Sequence, residues 1–467
     1  MSKFDSDVER FAKHKDARRL LVALSGGVDS LSLLHKLCEL RTHYDLSIAA
    51  LHVDHQIQTE SEHWMRHCQA QCDQFKVPLK AVKLNLQDSG HGQEAAARQA
   101  RYDWFQSQIS PADVLVMAHH MGDQVETVLL RLFRGSGLLG LGAMHEIRQF
   151  GLGWIARPLL GVSKEEIIAY AKKNDLRYIE DPSNLDTHID RNFVRHEILP
   201  LIRSRWPSVD QTIFRSSGHL KTIQSSLDKG AQVDLKMFLC LSTGTLLGDY
   251  GCVRISDLIS LEQSRIIDVL RYWIRCEGLT LPSTGKMNEL IRQVFEKDSR
   301  GRGGIRWKEG EFRAYRGFLY LLPVQPKLCS PATQRWRGLD TVCIKEVEVA
   351  LSVRRCTGSG IKLSFIKDSQ FILDWQHKDR VIHPSSSRHN RTIKNLFQES
   401  GIPPWERCRL PYVYLGDDLV CIPGLAVEKA YAASGAEIGL EIYISGTQSD
   451  QLDWDQCLTV VPSGHVW

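Results

Sequence analysis

The sequence contains no run of about 18 apolar residues, the length that a helix needs to cross a bilayer, so we expect no membrane span and no membrane partner. Residues 1–19 are charged and have no apolar core, so we expect no signal peptide. The net charge is only +4, so any surface that binds nucleic acid must be a local patch. What remains is the ordinary composition of a globular protein, with 43% hydrophobic and 24% charged residues.

The twelve cysteines are scattered along the chain, and no Cys-x-x-Cys motif occurs. The closest pair, Cys68 and Cys72, is four residues apart, which argues against a zinc ribbon. We interpret the cysteines as reduced thiols of a cytoplasmic protein. At 467 residues the chain is too long for one core, so we expect two or three domains.

One stretch near the N-terminus has the pattern of a phosphate-binding turn. Residues 20–24 are apolar and predict a short buried strand, and Gly26 and Gly27 allow a turn that a Cβ atom would obstruct. Asp29 and Ser30 then begin a predicted helix. Backbone N–H groups and the positive end of the helix dipole therefore point at one spot, which suits an anion. The lysine of a Walker A motif is absent, so the turn is not of that class.

The side chains of this turn add further donors and a carboxylate. Ser25 and Ser30 supply hydroxyl groups, and Asp29 could hold Mg²⁺ on a phosphate. An ordinary strand–helix turn is the alternative, which the glycine pair alone would not exclude. The whole string resembles the pyrophosphate-loop motif of N-type ATP pyrophosphatases, which adenylate a carbonyl oxygen and release pyrophosphate. The resemblance implies ATP binding by the residues of the string, Ser25, Gly26, Gly27, Val28, Asp29 and Ser30.

Further apolar segments continue the alternation of strands and helices. Strands are predicted over residues 46–53, 77–82, 114–118 and 154–160. This order is typical of a doubly wound parallel sheet, in which ligands bind at the carboxyl ends of the strands. The sequence therefore predicts an α/β PP-loop ATPase domain over residues 1–215, which also binds the nucleotide.

Charged side chains follow the predicted strands at positions that favour ligand binding. Arg98 lies on a helix rich in small residues, where it could meet a phosphate or an acidic neighbour. Asp123 and Glu126 are three residues apart near a helix N-terminus, so both carboxylates could bind an ammonium group or a metal. Carboxylates also favour helix N-termini for dipole reasons alone. Arg191 and Arg195 share one face of a later helix.

Six further segments narrow the resemblance to one family. They resemble motifs of the tRNA(Ile)-lysidine synthases in the expected order, at residues 52–55, 119–127, 134–137, 157–159, 180–184 and 191–200. Members of that family join free L-lysine to the cytidine at the first anticodon position of an isoleucine tRNA. ATP first adenylates oxygen 2 of the cytosine, and the ε-amine of lysine then attacks carbon 2 and expels AMP, which gives lysidine.

The resemblance also implies roles for individual residues. Asp29 would hold Mg²⁺ on the ATP phosphates, and Arg98 would contact ATP or the adenylate. Asp123 and Glu126 would hold lysine or assist its amine. Arg191 would steady the reacting groups, with Arg195 as its neighbour.

Two positions depart from the pattern of the family. The family usually has Asp at position 122 and Gly at position 56, where this chain has Gly122 and Gln56. Gly122 removes one local carboxylate, so we do not carry over a second metal or lysine contact there. Asp123 and Glu126 keep their spacing, and we expect this to preserve the core function.

The remainder of the chain predicts a mainly helical domain over residues 216–330 and a small α+β C-terminal domain over residues 345–445, followed by a tail at 446–467. The C-terminal domain resembles that of the family. Phosphate contacts need cations and little sequence order, so we expect basic residues of both domains to bind tRNA: Arg302, Arg306, Arg388, Arg391 and Lys394. A solvated hairpin is the alternative for the glycine-rich basic segment around Arg306.

Two other functions fit part of the pattern. A tRNA thiolase could use the same phosphate-binding turn, but such enzymes need cysteines near the site for sulfur transfer or an iron–sulfur cluster. The missing Cys-x-x-Cys motif argues against that reaction. A nucleotide-dependent RNA-binding protein without chemistry would not need the carboxylates of Asp123 and Glu126.

Overall fold

A computed structural model of the chain describes residues 2–13, 19–54, 61–84, 93–241, 247, 251–296, 303–324, 331–338, 340–366, 370–376, 381–387 and 389–446. The chain divides into two compact units, one of residues up to Leu227 and one from Asp228 onward. Within the described part, no helix is both long and apolar enough to cross a membrane.

The first unit is built on a parallel sheet. Its strands are β1 (Arg19–Ala23), β2 (Ser47–Asp54), β3 (Leu79–Lys83), β4 (Asp113–Val116), β5 (Ile147–Phe150) and β6 (Gly153–Ala156). These six strands form one sheet in the order β3-β2-β1-β4-β6-β5. The first five of these run parallel, and β5 pairs with β6 in an antiparallel hairpin that the sequence did not predict.

Helices cover both faces of this sheet. They are α1 (Lys3–Ala12), α2 (Val28–Tyr44), α3 (Ser61–Phe75), α4 (Gln93–Ser107), α5 (Met121–Phe133), α6 (Leu138–Leu141), α7 (Lys164–Lys173), α8 (Asp190–Phe193), α9 (Leu199–Arg205) and α10 (Val209–Phe238). Leu20 and Val22 of β1 pack in one core with Leu34, whereas Leu21 packs in a second core with Phe105. Strands that are buried on both faces are the mark of a doubly wound sheet, so the predicted α/β class is confirmed.

The second unit begins with an antiparallel sheet of β7 (Leu239–Leu241), β8 (Gly251–Arg254), β9 (Gly303–Arg306), β10 (Gly310–Tyr315) and β11 (Phe318–Pro323), in the order β7-β8-β11-β10-β9. The helices α11 (Ile255–Ile259), α12 (Gln263–Cys276) and α13 (Thr284–Val294) accompany it. Trp273 and Leu290 of these helices pack with Phe312 of the sheet. Helices supply more residues here than strands do, as predicted, but the sheet itself was not predicted.

Further along the second unit lie two more sheets. One contains β12 (Gln334–Trp336), β16 (Phe371–Asp374), β19 (Tyr412–Leu415), β20 (Asp418–Ile422) and β21 (Ala426–Val427), and the other contains β13 (Val342–Ile344), β14 (Val349–Thr357), β15 (Ile361–Lys362) and β22 (Ile438–Gly446). A short ladder joins β17 (Val381–Ile382) to β18 (Arg391–Thr392), and the helices are α14 (Ile393–Glu399) and α15 (Pro404–Arg407). This mixture is the predicted α+β region.

The two later regions pack against each other, although the sequence predicted separate domains. The ring of Trp405 lies 6.0 Å from that of Tyr315 and 5.0 Å from that of Tyr320, measured between centroids. Arg316 also donates a hydrogen bond of 2.7 Å to the carbonyl of Gln398. These contacts explain why residues from Asp228 onward form one compact unit.

Candidate functional site

The phosphate-binding turn between β1 and α2 requires its first glycine. Gly26 has φ of +85°, a left-handed conformation that other residues rarely adopt. A Cβ atom at this position would also lie 3.1 Å from the sulfur of Cys68. The Gly26 carbonyl accepts a hydrogen bond of 3.0 Å from the N–H of Ile179, which fixes the turn against a later loop. The conformation of the turn is therefore fixed by the surrounding fold.

Two hydroxyl groups line this turn. The oxygens Oγ of Ser25 and Ser30 lie 3.1 Å apart, and the Ser30 oxygen accepts the N–H of Ser25 at 3.2 Å. Gly27 is the N-terminal cap of α2, and no described side chain caps the helix there. The first N–H groups of α2 therefore face the turn without a side-chain acceptor, which is the arrangement that binds phosphate.

The carboxylate of Asp29 has a cationic partner that the sequence did not reveal. The ammonium group of Lys164, at the start of α7, donates to both oxygens of Asp29 at 2.7 and 2.8 Å. Lys164 follows Ser163, which caps α7 together with Glu166 in a capping box. Ser163 followed three residues later by Glu166 is the sequence pattern of a capping box, but this spacing gives no sign that Lys164 reaches the start of α2, 135 residues earlier.

The predicted carboxylate pair of α5 lies in a compact ion-pair network. Arg191 donates through Nε to Glu126 at 2.6 Å and through Nη2 to Asp123 at 2.7 Å. Arg195 donates through Nε and Nη2 to the two oxygens of Glu126, at 2.6 and 2.9 Å. Glu126 is buried, so two carboxylates and two guanidinium groups balance each other in a poorly hydrated place. The structure thus brings the predicted site residues Asp123, Glu126 and Arg191 together with Arg195, and the roles of these residues stay predictions.

Local backbone structure positions these four side chains. The N–H of His120 donates to Asp123 at 2.9 Å, and the N–H of Gly122 donates to Nδ1 of His120 at 3.0 Å, which together cap α5. Arg191 lies on α8, and Arg195 lies in a π-helical turn, Val194–Ile198, that joins α8 to α9. The sequence predicted one regular helix here, and the period of apolar residues contains no signal for a π turn.

Gly122 lies against the imidazole of His120. A Cβ atom on Gly122 would lie 2.8 Å from Cε1 of His120, so a larger residue at this position requires the imidazole to shift.

The surroundings of the site lower the pKa values of Asp123 and His119. Burial alone would raise the pKa of Asp123, but the charges of His120 and Arg191 outweigh it and hold that pKa well below its ordinary range. Loss of hydration lowers the pKa of His119 to about 3, so this imidazole is neutral near pH 7. The carboxyl group of Asp123 is thus ionised near pH 7, and the neighbouring imidazole of His119 is neutral.

The other predicted residues are more dispersed. Arg98 is exposed on α4 with its guanidinium 5.1 Å from the ring centre of Tyr102, and no contact with the phosphate-binding turn is seen in the described part. In the second unit, Arg306 and Lys394 are exposed, and Arg391 forms a 3.4 Å ion pair with Glu399. Arg302 and Arg388 lie outside the described residues. The roles of these residues stay predictions.

The parallel sheet and the anion-binding turn after its central strand β1 define a PP-loop domain, and the family model described as "PP-loop domain" matches residues 1–202. The chain is therefore an ATP-using enzyme of this class. Two more models match, "TilS substrate binding domain" at 254–320 and "TilS substrate C-terminal domain" at 373–444.

Curated relatives are similar over nearly the whole chain. The tRNA(Ile)-lysidine synthase of Methylococcus capsulatus is 35% identical over 421 residues, which cover 89% of this chain and 94% of that protein. Those of Coxiella burnetii (32%; 91% and 92% covered) and Nitrosomonas europaea (33%; 94% and 95% covered) are also similar. The chain belongs to the tRNA(Ile)-lysidine synthase family.

Proposed function

We propose that this chain joins L-lysine to carbon 2 of the cytidine at the first anticodon position of an isoleucine tRNA, through an adenylated cytidine. The observation that carries the proposal is the carboxylate pair of α5, buried Glu126 and half-buried Asp123, on the helix that follows the strand next to β1. Strands β1 and β4 are parallel neighbours, so the turn after β1 and the helix after β4 open at the same edge of the sheet. A nucleotide and an amine can therefore meet at one base.

The first step is attack of the cytosine oxygen 2 on the α-phosphorus of ATP, with pyrophosphate as the leaving group. The hydroxyl groups of Ser25 and Ser30 and the N–H groups at the start of α2 hold the phosphates in place. They also stabilise the negative charge that moves onto the pyrophosphate as it leaves.

Asp29 fits the expected contact with Mg²⁺. Its two oxygens already face a cation, the ammonium of Lys164, so the position favours positive charge. In the described part of the chain no group of three or more His, Cys, Asp and Glu side chains could hold a metal ion. One carboxylate plus phosphate oxygens is a common way to hold Mg²⁺, which would neutralise phosphate charge when bound.

The second step is attack of the lysine ε-amine on carbon 2, with AMP as the leaving group. The ε-ammonium is attracted to Asp123 and Glu126 and must lose a proton before it attacks. Glu126, the more deeply buried of the two carboxylates, accepts that proton in this proposal. The guanidinium groups of Arg191 and Arg195, which bond to the carboxylates, then face the anionic leaving group.

The proposal is tested by incubating the protein with ATP, labelled L-lysine and the isoleucine tRNA, and then measuring the masses of the digested nucleosides. We expect lysidine to form only with all three substrates, together with pyrophosphate and AMP. A tRNA with uridine at the first anticodon position is the matched control. Pyrophosphate release without lysine incorporation would contradict the proposal.

A tRNA thiolase would need a reactive cysteine near the phosphate-binding turn. Cys68 is the cysteine that packs against Gly26, and it is fully buried. Burial and the neighbouring Cys72 raise the pKa of this thiol to about 12, so it stays protonated and is a poor nucleophile. Cys68 therefore belongs to the core. The substrates of the proposed reaction, ATP and tRNA, place it in the cytoplasm.

A further inference from the structure

Four basic side chains of the first unit have no role in the site described above. Arg131 of α5, Arg148 of β5, Arg157 after β6 and Lys221 of α10 form what we call the basic cluster. Three of them bond to backbone carbonyl groups of residues 140–145. The four residues come from distant parts of the chain, so their proximity could not be read from spacing.

Backbone carbonyl groups hold all four members of the basic cluster in place. Arg131 donates to the carbonyl of Gly140 at 2.6 Å, and Arg157 donates to that of His145 at 2.8 Å. Lys221 donates to the carbonyl of Met144. Arg148 donates to the carbonyl of Gln149 at 3.3 Å, and its guanidinium lies 5.5 Å from the ring centre of Phe150. Each side chain therefore has a fixed position but no opposite charge.

The positive charge of the basic cluster is not balanced. Among the described residues none of the four side chains has a carboxylate within salt-bridge distance, and Arg157 is only 4% exposed. Glu146 acts on Lys221 from a greater distance and forms its own salt bridge with Arg10 at 3.1 Å. Buried charge without a partner is costly, so such clusters suggest an anionic ligand.

Two further observations show that the positive charge of the basic cluster is incompletely compensated. The Nε of Arg157 is buried and has no hydrogen-bond acceptor in the described structure, and a buried donor of this kind normally has one. Loss of hydration, together with the charges of Arg157 and Arg131, lowers the pKa of Lys221 to about 8. An anion bound at the partly exposed members of the cluster would relieve the repulsion.

The sheet places the basic cluster in line with the reaction site. The parallel strands β1, β4 and β6 are successive neighbours, and they lead to the phosphate-binding turn, to α5 with its carboxylates, and to Arg157. Adjacent strands are about 4.8 Å apart, so the basic cluster begins roughly 10 Å from the turn. It lies on the side of the carboxylates that is away from the ATP phosphates.

We propose that the basic cluster binds backbone phosphate groups of the RNA substrate next to the reacting nucleotide. This inference rests on the proposed function, which requires one base to lie between the phosphate-binding turn and α5. The RNA chain then continues to the β6 side, where the partly exposed Arg148 and Lys221 present N–H groups to phosphate oxygens. A nucleotide phosphate shares the same chemistry, and the experiment separates the two sources.

The test compares the full-length double variant Arg148→Gln/Lys221→Gln with the wild type. The probe is an anticodon stem-loop RNA with cytidine at the first anticodon position, and its affinity is measured at several salt concentrations. We expect about tenfold weaker binding and a salt slope reduced by about 1.4, the value for two phosphate contacts on single-stranded RNA. ATP binding, measured by equilibrium dialysis, is expected to be unchanged.

The matched control is the double variant Lys172→Gln/Lys173→Gln, which removes two charges from exposed positions of α7. We expect it to bind RNA as the wild type does. Thermal unfolding is followed for every variant. If the double variant is unstable, Arg148→Gln alone decides, with an expected slope change of about 0.7, and Arg148→Lys is expected to restore the slope.

Two results would overturn the inference. One is an unchanged RNA affinity and salt slope in Arg148→Gln/Lys221→Gln. The other is a loss confined to ATP or pyrophosphate binding, which would assign the basic cluster to the nucleotide. Because RNA binding is measured without turnover, a wild-type protein that binds RNA through the cluster but incorporates no lysine would contradict only the proposed function.

Discussion

At the scale of single residues, charge decides which step each side chain serves. Asp29 lies at the start of α2 and bonds to Lys164, whereas Asp123 and Glu126 bond to two arginines on other elements. The two groups of carboxylates therefore have separate partners, and substitutions in them are expected to separate the two chemical steps.

Asp29→Ala is expected to reduce pyrophosphate release roughly 100-fold while RNA affinity stays within error of the wild type. The reason is that the proposed contact of Asp29 is with the ATP phosphates and not with RNA. Pyrophosphate release and RNA binding are measured side by side, with the exposed Asp73→Ala on α3 as control. Equal losses of both activities would remove Asp29 from the phosphate site.

Glu126→Gln is expected to slow lysine-dependent AMP release about 100-fold and to leave adenylation nearly intact. The change keeps the size of the side chain but removes one charge that attracts the ammonium group and can accept its proton. Adenylated RNA is formed without lysine, lysine is then added, and AMP is followed over time. The control is Glu165→Gln, an exposed residue of α7.

Normal AMP release by Glu126→Gln, with a loss confined to adenylation, would move Glu126 to the ATP or metal site. The unfolding temperature of the variant is needed as well. Removing one member of a buried ion pair costs about 3–5 kcal/mol when no replacement contact forms, although Gln keeps a hydrogen-bond acceptor for the arginines.

At the scale of secondary-structure elements, the sequence predicted the elements whose signals come from adjacent residues. The strand, glycine pair and helix of the phosphate-binding turn follow from adjacent residues, and so does the capping box at Ser163. The β5–β6 hairpin and the π turn at Val194–Ile198 depend on partners that are distant in sequence. For the same reason the contacts of Asp29 with Lys164 and of Glu126 with Arg195 could not be read from spacing.

Asp123 takes part both in the N-terminal cap of α5 and in the ion pair with Arg191. One oxygen accepts the N–H of His120, and the other accepts Nη2 of Arg191. The folded pKa of Asp123 lies below its value in the unfolded chain, near 3.9. Its contribution to stability is therefore complete above about pH 5 and is lost as the pH falls through the unfolded and then the folded pKa.

We accordingly expect Asp123→Asn to lower the free energy of unfolding at pH 7 by about 1–3 kcal/mol. The gap between the wild type and Asp123→Asn should narrow as the pH falls from 5 to 2, because the carboxyl group becomes protonated in the unfolded wild-type chain, where its pKa is higher than in the folded protein. Urea unfolding at several pH values measures this gap. A gap that is constant over that range would show that charge on Asp123 does not stabilise the fold.

At the scale of the whole molecule, family matches and structural units have different boundaries. The PP-loop match ends at residue 202, and the predicted catalytic domain ended at 215, whereas the first compact unit continues to Leu227. Beyond residue 215, Ser217 accepts a hydrogen bond of 3.4 Å from Gln124, and Lys221 bonds to Met144. The start of α10 is therefore part of the catalytic unit.

A fragment that ends at Leu227 is expected to fold and bind ATP, whereas one that ends at Pro207 is expected to be less stable by about 2–4 kcal/mol. The shorter fragment lacks Ile213, which packs on the core of Val125 and Leu129, and the two polar contacts of α10. Urea unfolding of both fragments measures the difference. Equal stability would show that α10 does not support the catalytic unit.

The fragment that ends at Leu227 also tests how much each of the two units contributes to RNA binding. It lacks Arg306 and Lys394, so its salt slope for tRNA binding should be smaller than that of the full chain. It keeps the basic cluster, so some slope should remain, and Arg148→Gln/Lys221→Gln in the fragment should remove most of that remainder. A fragment with the full slope would contradict phosphate contacts in the second unit, and a fragment with no slope would contradict those in the first.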